Sequence, residues 1–252
     1  MLQTADRALH LVRLVASRGE MSVTEVAGTL QVSPSMAHRL LRTCTEAGFL
    51  RQDERNGPYR VGPALHQVSA DVARGSTVRT LLAGPLRQTA EGLLETSSLA
   101  ALEGRTIRFL LTEEGAHLVR IARPIRTVTP AHATAAGRAL LADLTDEELA
   151  ARYRDAPLET VQPGTIQDWD QLRAEIAKIR ARGWAIQVGE AQPGVAALAM
   201  PVRDASGAAV VSLTVTVPYL RLHRAEDARA LARRLRPYAE LMEKRLAAPG
   251  PR

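Results

Sequence analysis

The stretch SVTEVAGTLQVSPSMAHRLLRTCTEAGFLRQDERNGPYRV, residues 22–61, decides the fold, because helix-start, turn and helix-stop signals follow one another in it without interruption. Ser22 is placed to cap a short helix, and Glu25 three positions on completes a capping box. Val23, Val26, Ala27 and Leu30 then share one helical face. Gln31-Val32 makes the turn. Ser33 caps a second helix with Pro34 at its first position, where the missing N–H costs nothing. That helix buries Ala37, Leu40, Leu41 and Cys44 at helical spacing, and Gly48 stops it where a left-handed residue is wanted. Two short strands, Phe49–Gln52 and Tyr59–Val61, follow around a charged, turn-prone loop. The order helix, turn, helix, hairpin is that of a winged helix-turn-helix, whose second helix suits a DNA major groove.

Outward from this core, the side chains left free on the second helix are the candidate DNA contacts: Ser35, Met36, His38, Arg39 and Arg42. Arg39 is the leading base reader, since a guanidinium can donate two hydrogen bonds to guanine O6 and N7; a phosphate contact is the alternative. Ser35 and His38 can reach a base edge or a phosphate. Met36 can touch a thymine methyl or pack against the preceding helix. Arg42 lies further along and suits the backbone; Arg51, Arg55 and Arg60, on or beside the wing, suit phosphate or minor-groove contact. Cys44, on the buried face, reads as a small hydrophobe rather than a redox sensor.

Bulk properties bound the rest. A chain of 252 residues favours two domains, and 46% hydrophobic with 24% charged residues is ordinary for a soluble globular protein. No apolar run approaches the roughly 20 residues of a membrane span, and the N-terminus lacks a signal-peptide layout, so a cytoplasmic protein is expected. One cysteine excludes an internal disulfide and a multi-cysteine metal cluster, and the six histidines are scattered; neither metal nor cofactor is expected. The net charge of +6 favours polyanionic partners. No HExxH, GxSxG or P-loop motif supports an enzyme.

Upstream, a first helix is expected over Thr4–Ser17, with Ala5, Ala8, Leu9, Val12 and Val15 inward. Downstream, Pro63 opens a linker helix that Gly75 ends, and a further helix over Val78–Glu95 is kinked or restarted at Gly84-Pro85. Strands are expected at Ser97–Glu103, Thr106–Leu111, Leu118–Ala122, Trp184–Val188, Val195–Arg203 and Ala208–Val217. Helices are expected after Thr134, after Thr145, over Asp168–Arg182 and over Arg221–Leu246. The class is therefore α+β, divided into a DNA-binding domain (residues 1–62), a linker helix (63–75) and a second domain (76–252).

Several segments, in order, resemble the IclR-type transcriptional regulators. They are Val23-Thr24-Glu25-Val26-Ala27, Ser35-Met36-Ala37-His38-Arg39-Leu40-Leu41, Gly48-Phe49-Leu50 and Tyr59–Leu65 in the first half. In the second half they are His132–Ala142, Ile179–Ala185, Gly189-Glu190, Pro193-Gly194-Val195 and Pro201-Val202. The resemblance implies a GAF-like effector domain, an antiparallel sheet flanked by helices. It also implies homodimers or dimers of dimers on double-stranded operator DNA, with repression the expected sign. Carried over by position, the small-molecule effector site falls on Thr134, Ala135, Ala136, Gln187, Ala197, Thr214 and Thr216. Where the family carries an acid this chain has Gln187, for a cysteine it has Ala197, and for serines it has threonines. A neutral or partly apolar effector, or a carboxylate held by other contacts, is the implied ligand. An architectural DNA-binding protein with a ligandless second domain is the alternative. Thr134 and the following amides can hold an anionic or carbonyl oxygen, or Thr134 can be a plain helix cap; His132, just before it, suits a structural hydrogen bond.

Overall fold

The structure, a computed structural model, describes residues 3–54, 57–122 and 128–248, and the side chains of these apart from Gln3 and 69–77. The chain divides into two compact units, Met1–Thr77 and Val78–Arg252.

In the first unit, α1 (Gln3–Arg18), α2 (Val23–Leu30) and α3 (Pro34–Glu46) pack with a small sheet of β1 (Glu20–Met21), β2 (Leu50–Gln52) and β3 (Tyr59–Val61), in the order β1-β3-β2. The capping box of α2 is complete, with Ser22 N donating to the Glu25 carboxylate at 2.7 Å and Glu25 N donating back to Ser22 Oγ at 3.3 Å. Gln31 takes the left-handed conformation (φ 51°) to make the turn, and Gly48 does so after α3 (φ 74°). Gly62 is required for another reason: a Cβ there would collide with the backbone of Gly48 and Leu50.

The core holds Leu11, Val15, Met21, Val26, Ala37, Leu40, Leu41, Cys44, Leu50 and Tyr59. This rotates α1 away from the expected face. Ala5 is exposed and Leu9 is 74% exposed, whereas Leu11 is fully buried. Positions 8, 11, 12 and 15 form a complete i, i+3, i+4, i+7 stripe that the overlapping Ala5–Leu9 stripe obscures in the sequence. β1, also absent from the sequence reading, pairs with β3 through Glu20↔Arg60 and Met21↔Tyr59.

α4 (Pro63–Leu93) is one helix of 31 residues, with Pro85 inside it, and Gly75 does not end it. A helical glycine costs only about 1 kcal/mol relative to alanine, which flanking turns can outweigh. Its first part belongs to one unit and its last to the other.

The second unit is built on a six-stranded sheet in the order β6-β5-β4-β9-β8-β7, antiparallel at every pairing. The strands are β4 (Thr96–Glu103), β5 (Thr106–Glu113), β6 (Val128–Pro130), β7 (Ala185–Val188), β8 (Val195–Arg203) and β9 (Ala209–Pro218). Strand alternation divides the side chains between two cores. Ala196, Leu198, Met200, Val202, Val211, Leu213, Val215 and Val217 pack with the end of α4 and with α8 (Ala225–Ala247). Ala185, Ala197, Ala199 and Ala100 pack with α5 (Ala135–Leu141), α6 (Asp146–Tyr153) and α7 (Trp169–Arg182).

Residues Leu118–Ala122 are not a strand, and Leu118 and Val119 stand exposed. Their carbonyls are held by side chains instead, Thr96 Oγ1 donating to Ile121 O at 2.5 Å and Arg221 to Val119 O at 2.7 Å. The edge position beside β5 goes to β6. Among the described residues no helix is long and apolar enough to cross a membrane.

Candidate nucleic-acid interface and effector face

The DNA-reading candidates come from α3. Ser33 caps it, its hydroxyl accepting from Met36 N at 3.3 Å, and Pro34 follows. With Ala37, Leu40, Leu41 and Cys44 turned inward, Ser35, His38, Arg39 and Arg42 are all exposed. Met36 is half-buried against the core. Ser35 Oγ lies 3.1 Å from Ser33 Oγ. Arg42 is paired along the helix with Glu46 at 3.2 Å, whereas Arg39 has no ion-pair partner among the described residues.

On the wing, Arg51 is paired with Asp53 at 2.8 Å, and Arg60 with Glu20 at 2.6 Å and Asp53 at 3.4 Å. Arg55 lies outside the described residues. Exposed pairs of this kind are worth at most about 1 kcal/mol, so a phosphate can displace the carboxylate. Glu20 had no signal in the sequence, because its partner is distant along the chain and meets it only through β1–β3 pairing. Burial pushes the Cys44 thiol up, away from thiolate reactivity, and its Sγ donates to Ala8 O at 3.9 Å.

The effector candidates are assembled by strand register. Gln187, Ala197, Thr216 and Thr96 are successive cross-strand partners from β7 to β4. The adjacent row runs Ala185, Ala199, Thr214, Ser98, Thr112. Both rows face α5–α7, where Ala135 and Ala136 are also buried. Thr216 is half-buried; Thr214 and Gln187 are buried. Among the described residues the Thr214 hydroxyl has no hydrogen-bond partner, and neither does that of Ser212 on the same strand face. Sequence reasoning passed over Ser212, although the period of two that joins Thr214 to Thr216 extends to it. Ser98 and Thr112, 3.0 Å apart, were also missed, since only sheet pairing brings them to this face.

Two of the predicted groups are engaged within the protein. Thr134 Oγ1 accepts from Gly137 N at 3.0 Å, capping α5. Gln187 Oε1 accepts from Glu190 N at 3.0 Å and Ala191 N at 3.3 Å, closing the loop after β7. A Cβ at Gly137 would collide with Ala131, so this glycine lets α5 sit tightly on the turn before it.

Beneath α5 lies a charged group that sequence reasoning treated only as part of a helix. Arg138 is 2% exposed. It donates to His132 O at 2.6 Å and Ile186 O at 3.4 Å and forms an ion pair with Glu190. Glu190 in turn accepts at its carbonyl from Thr165 Oγ1 at 2.7 Å. Arg138 and Glu190 thereby tie α5, β7 and two loops to one another. His132 Nε2 lies 3.0 Å from Glu159 O, and burial holds the imidazole below its ordinary pKa, so it is neutral and donates this bond at pH 7.

The face is therefore lined by hydroxyls and methyls, with its one buried cation already neutralised. Its two unpartnered hydroxyls, Ser212 and Thr214, are available to hydrogen-bond a small molecule. Among the described residues no three His, Cys, Asp or Glu side chains are grouped to hold a metal.

Comparison with known proteins agrees with this architecture. Residues 4–54 match the IclR helix-turn-helix domain, and residues 70–243 match the C-terminal region of the bacterial transcriptional regulator IclR. The chain is 32% identical over 231 residues to the HTH-type transcriptional regulator BhcR of Paracoccus denitrificans, covering 92% of this chain and 82% of that one. It is 28% identical over 222 residues to the HTH-type transcriptional repressor AllR of Salmonella typhi, covering 87% and 81%. Its fold is similar, with a TM-score of 0.62 at 22% identity over 96% of this chain and 98% of the other, to an IclR homolog from Microbacterium hydrocarbonoxydans complexed with 4-hydroxybenzoate. With family matches that together span both units, this chain belongs to the IclR family of bacterial transcriptional regulators.

Proposed function

We propose that this regulator is a ligand-responsive repressor, in which α3 reads an operator and the face under α5 holds a small, uncharged or partly apolar metabolite. The observation that carries the reading is the pair of buried, unpartnered hydroxyls, Ser212 and Thr214, on the sheet face where effector contacts were expected. An orphaned buried hydroxyl costs about 1–3 kcal/mol, a cost that a hydrogen-bonding ligand relieves. The kinship to AllR, a repressor, supports repression, and the fold shared with a homolog complexed with 4-hydroxybenzoate, a partly apolar carboxylate, supports a small-molecule ligand without bearing on its charge.

On DNA, two copies place two α3 helices in successive major grooves of a pseudo-palindromic site, as a dimer or a dimer of dimers in the cytoplasm. Arg39, without an ion-pair partner among the described residues, is the base reader. Ser35 and His38 contact base edge or phosphate; Arg42, Arg51 and Arg60 contact backbone after exchanging their carboxylates for phosphates. The effector acts only through different affinity for operator-competent and incompetent states. A coupling of about 1–3 kcal/mol changes DNA affinity roughly five- to 150-fold. The regulator reading is preferred to that of an enzyme because the relatives that the chain matches are transcriptional regulators.

The self-satisfied Thr134 and Gln187 favour one alternative, an architectural DNA-binding protein whose second unit takes no ligand. Selecting genomic fragments with the purified protein across salt concentrations, then screening metabolites by thermal shift, separates the readings. A recurring pseudo-palindrome and stabilisation by a neutral metabolite are expected. Uniform binding lost steeply with salt, and no stabilising metabolite, would establish the architectural protein instead.

A further inference from the structure

Away from the effector face, Trp184, Arg229, Ala232, Arg233 and Arg236 line a groove of about 210 Å³ on the second unit. Arg229, Arg233 and Arg236 follow at intervals of four and three residues, so they share one exposed side of α8. Like charges at these spacings disfavour a helix, which makes their clustering unexplained by stability. Of the arginines nearby, Arg224 is neutralised by Glu226 and Asp227 and Arg182 by Glu175, whereas Arg234 donates to Gly92 O at 3.5 Å. No carboxylate among the described residues pairs with the three in the groove. Arg236 lies against Gly183, the left-handed residue that ends α7.

The floor is made by small and flat groups. Ala232 leaves space between the arginines, and the Trp184 indole is held in place by Arg182, whose guanidinium lies 4.4 Å from the ring centroid and donates to Trp184 O at 2.7 Å. Three unneutralised guanidiniums around a fixed aromatic wall are complementary to an oxyanion, which guanidinium binds through paired hydrogen bonds. The volume is below the roughly 300–1,000 Å³ of sites for larger ligands, which sets the size of the occupant.

We propose that this groove is a second ligand site, distinct from the effector face, for a compact metabolite carrying two or more phosphate or carboxylate groups. Arg229 and Arg233 grip the anion, Arg236 closes one end, and Trp184 forms the wall. Because α8 packs on β8, occupancy of the groove bears on the same sheet whose opposite face holds the effector candidates.

The test is titration of the full chain carrying Trp169→Phe, which leaves Trp184 as its one indole, with inorganic pyrophosphate and separately with citrate. Trp184 fluorescence and calorimetry are followed at two salt concentrations. Saturable binding that weakens with salt is expected for at least one anion; the one that binds identifies phosphate or carboxylate as the recognised group. The combined variant Arg229→Ala, Arg233→Ala is expected to bind at least about tenfold more weakly with an unchanged melting temperature, since both side chains are exposed. Arg39→Ala is expected to bind as the parent does. Calorimetry on the unsubstituted chain carries the same test should Trp169→Phe impair folding. Absence of saturable binding by both anions, unchanged affinity in the combined variant, or an equal loss in Arg39→Ala would overturn the proposal.

Discussion

The exposed side of α3 and the sheet face under α5 solve opposite problems. On α3 the candidate DNA-contacting side chains stand in water, and their placement is settled within the helix by Ser33, Pro34 and the four inward apolar positions. On the sheet face the groups are buried and are brought together from β4, β7, β8 and β9 by register. A surface reading head tolerates substitution of its contacts at little cost in stability, because water replaces what is lost. A buried face does not: each polar group there is either satisfied by the protein, as Gln187 and Arg138 are, or waits for a partner, as Ser212 and Thr214 do.

The sharpest way to break this contrast is at Glu190. Glu190→Gln leaves Arg138 charged, buried and without its carboxylate, and about 3 kcal/mol of stability is expected to be lost. Denaturation followed by tryptophan fluorescence reports the loss selectively, since Trp169 and Trp184 both belong to the second unit. Adding Arg138→Met should recover part of it; no recovery would mean that the Glu190 carboxylate acts through Val188 N, which donates to it at 3.4 Å, rather than through the ion pair.

Next in size is Arg39→Ala, expected to weaken operator binding by about 1–3 kcal/mol while hardly altering either melting or non-specific binding. Competition binding against operator and random duplex checks it, and equal losses on both would reassign Arg39 to a phosphate. Arg42→Ala should cost less, because Glu46 already competes for that guanidinium.

Thr214→Val tests the orphaned hydroxyl from the other direction. Removing a buried, unpartnered group should raise stability, by about 1 kcal/mol, while abolishing or reducing response to the effector. A clear destabilisation in a chemical melt would show that the hydroxyl has a partner in the protein.

The smallest effect concerns His132. Its folded pKa is depressed by burial, so below the unfolded value of about 6.5 the unfolded chain takes up a proton that the folded chain does not. Stability should therefore be fully retained above about pH 6.5 and decline as pH falls from there toward the depressed folded value. Melting curves of His132→Asn across this range should lack that part of the decline.

The reading head was legible in the sequence almost to the residue, apart from the rotation of α1 and the short strand β1. Caps, turn and apolar spacing act over three or four residues and need no distant partner. Of the second unit, the strands and helices of residues 185–247 were largely visible from alternation and capping, but Leu118–Ala122 shows the limit. Its alternation is real, yet the edge beside β5 is occupied by Val128–Pro130, and a strand exists only where another strand accepts its hydrogen bonds.

The candidate effector residues were named from family likeness, and the structure adds what likeness did not contain: Ser212 beside Thr214, Gln187 turned to its own loop, and Arg138 joined to Glu190. Local signals determined where α3 begins, where it stops and which side faces out. Only tertiary structure decided which polar groups are spent within the protein and which are left open, because that depends on register and burial among residues far apart in the chain.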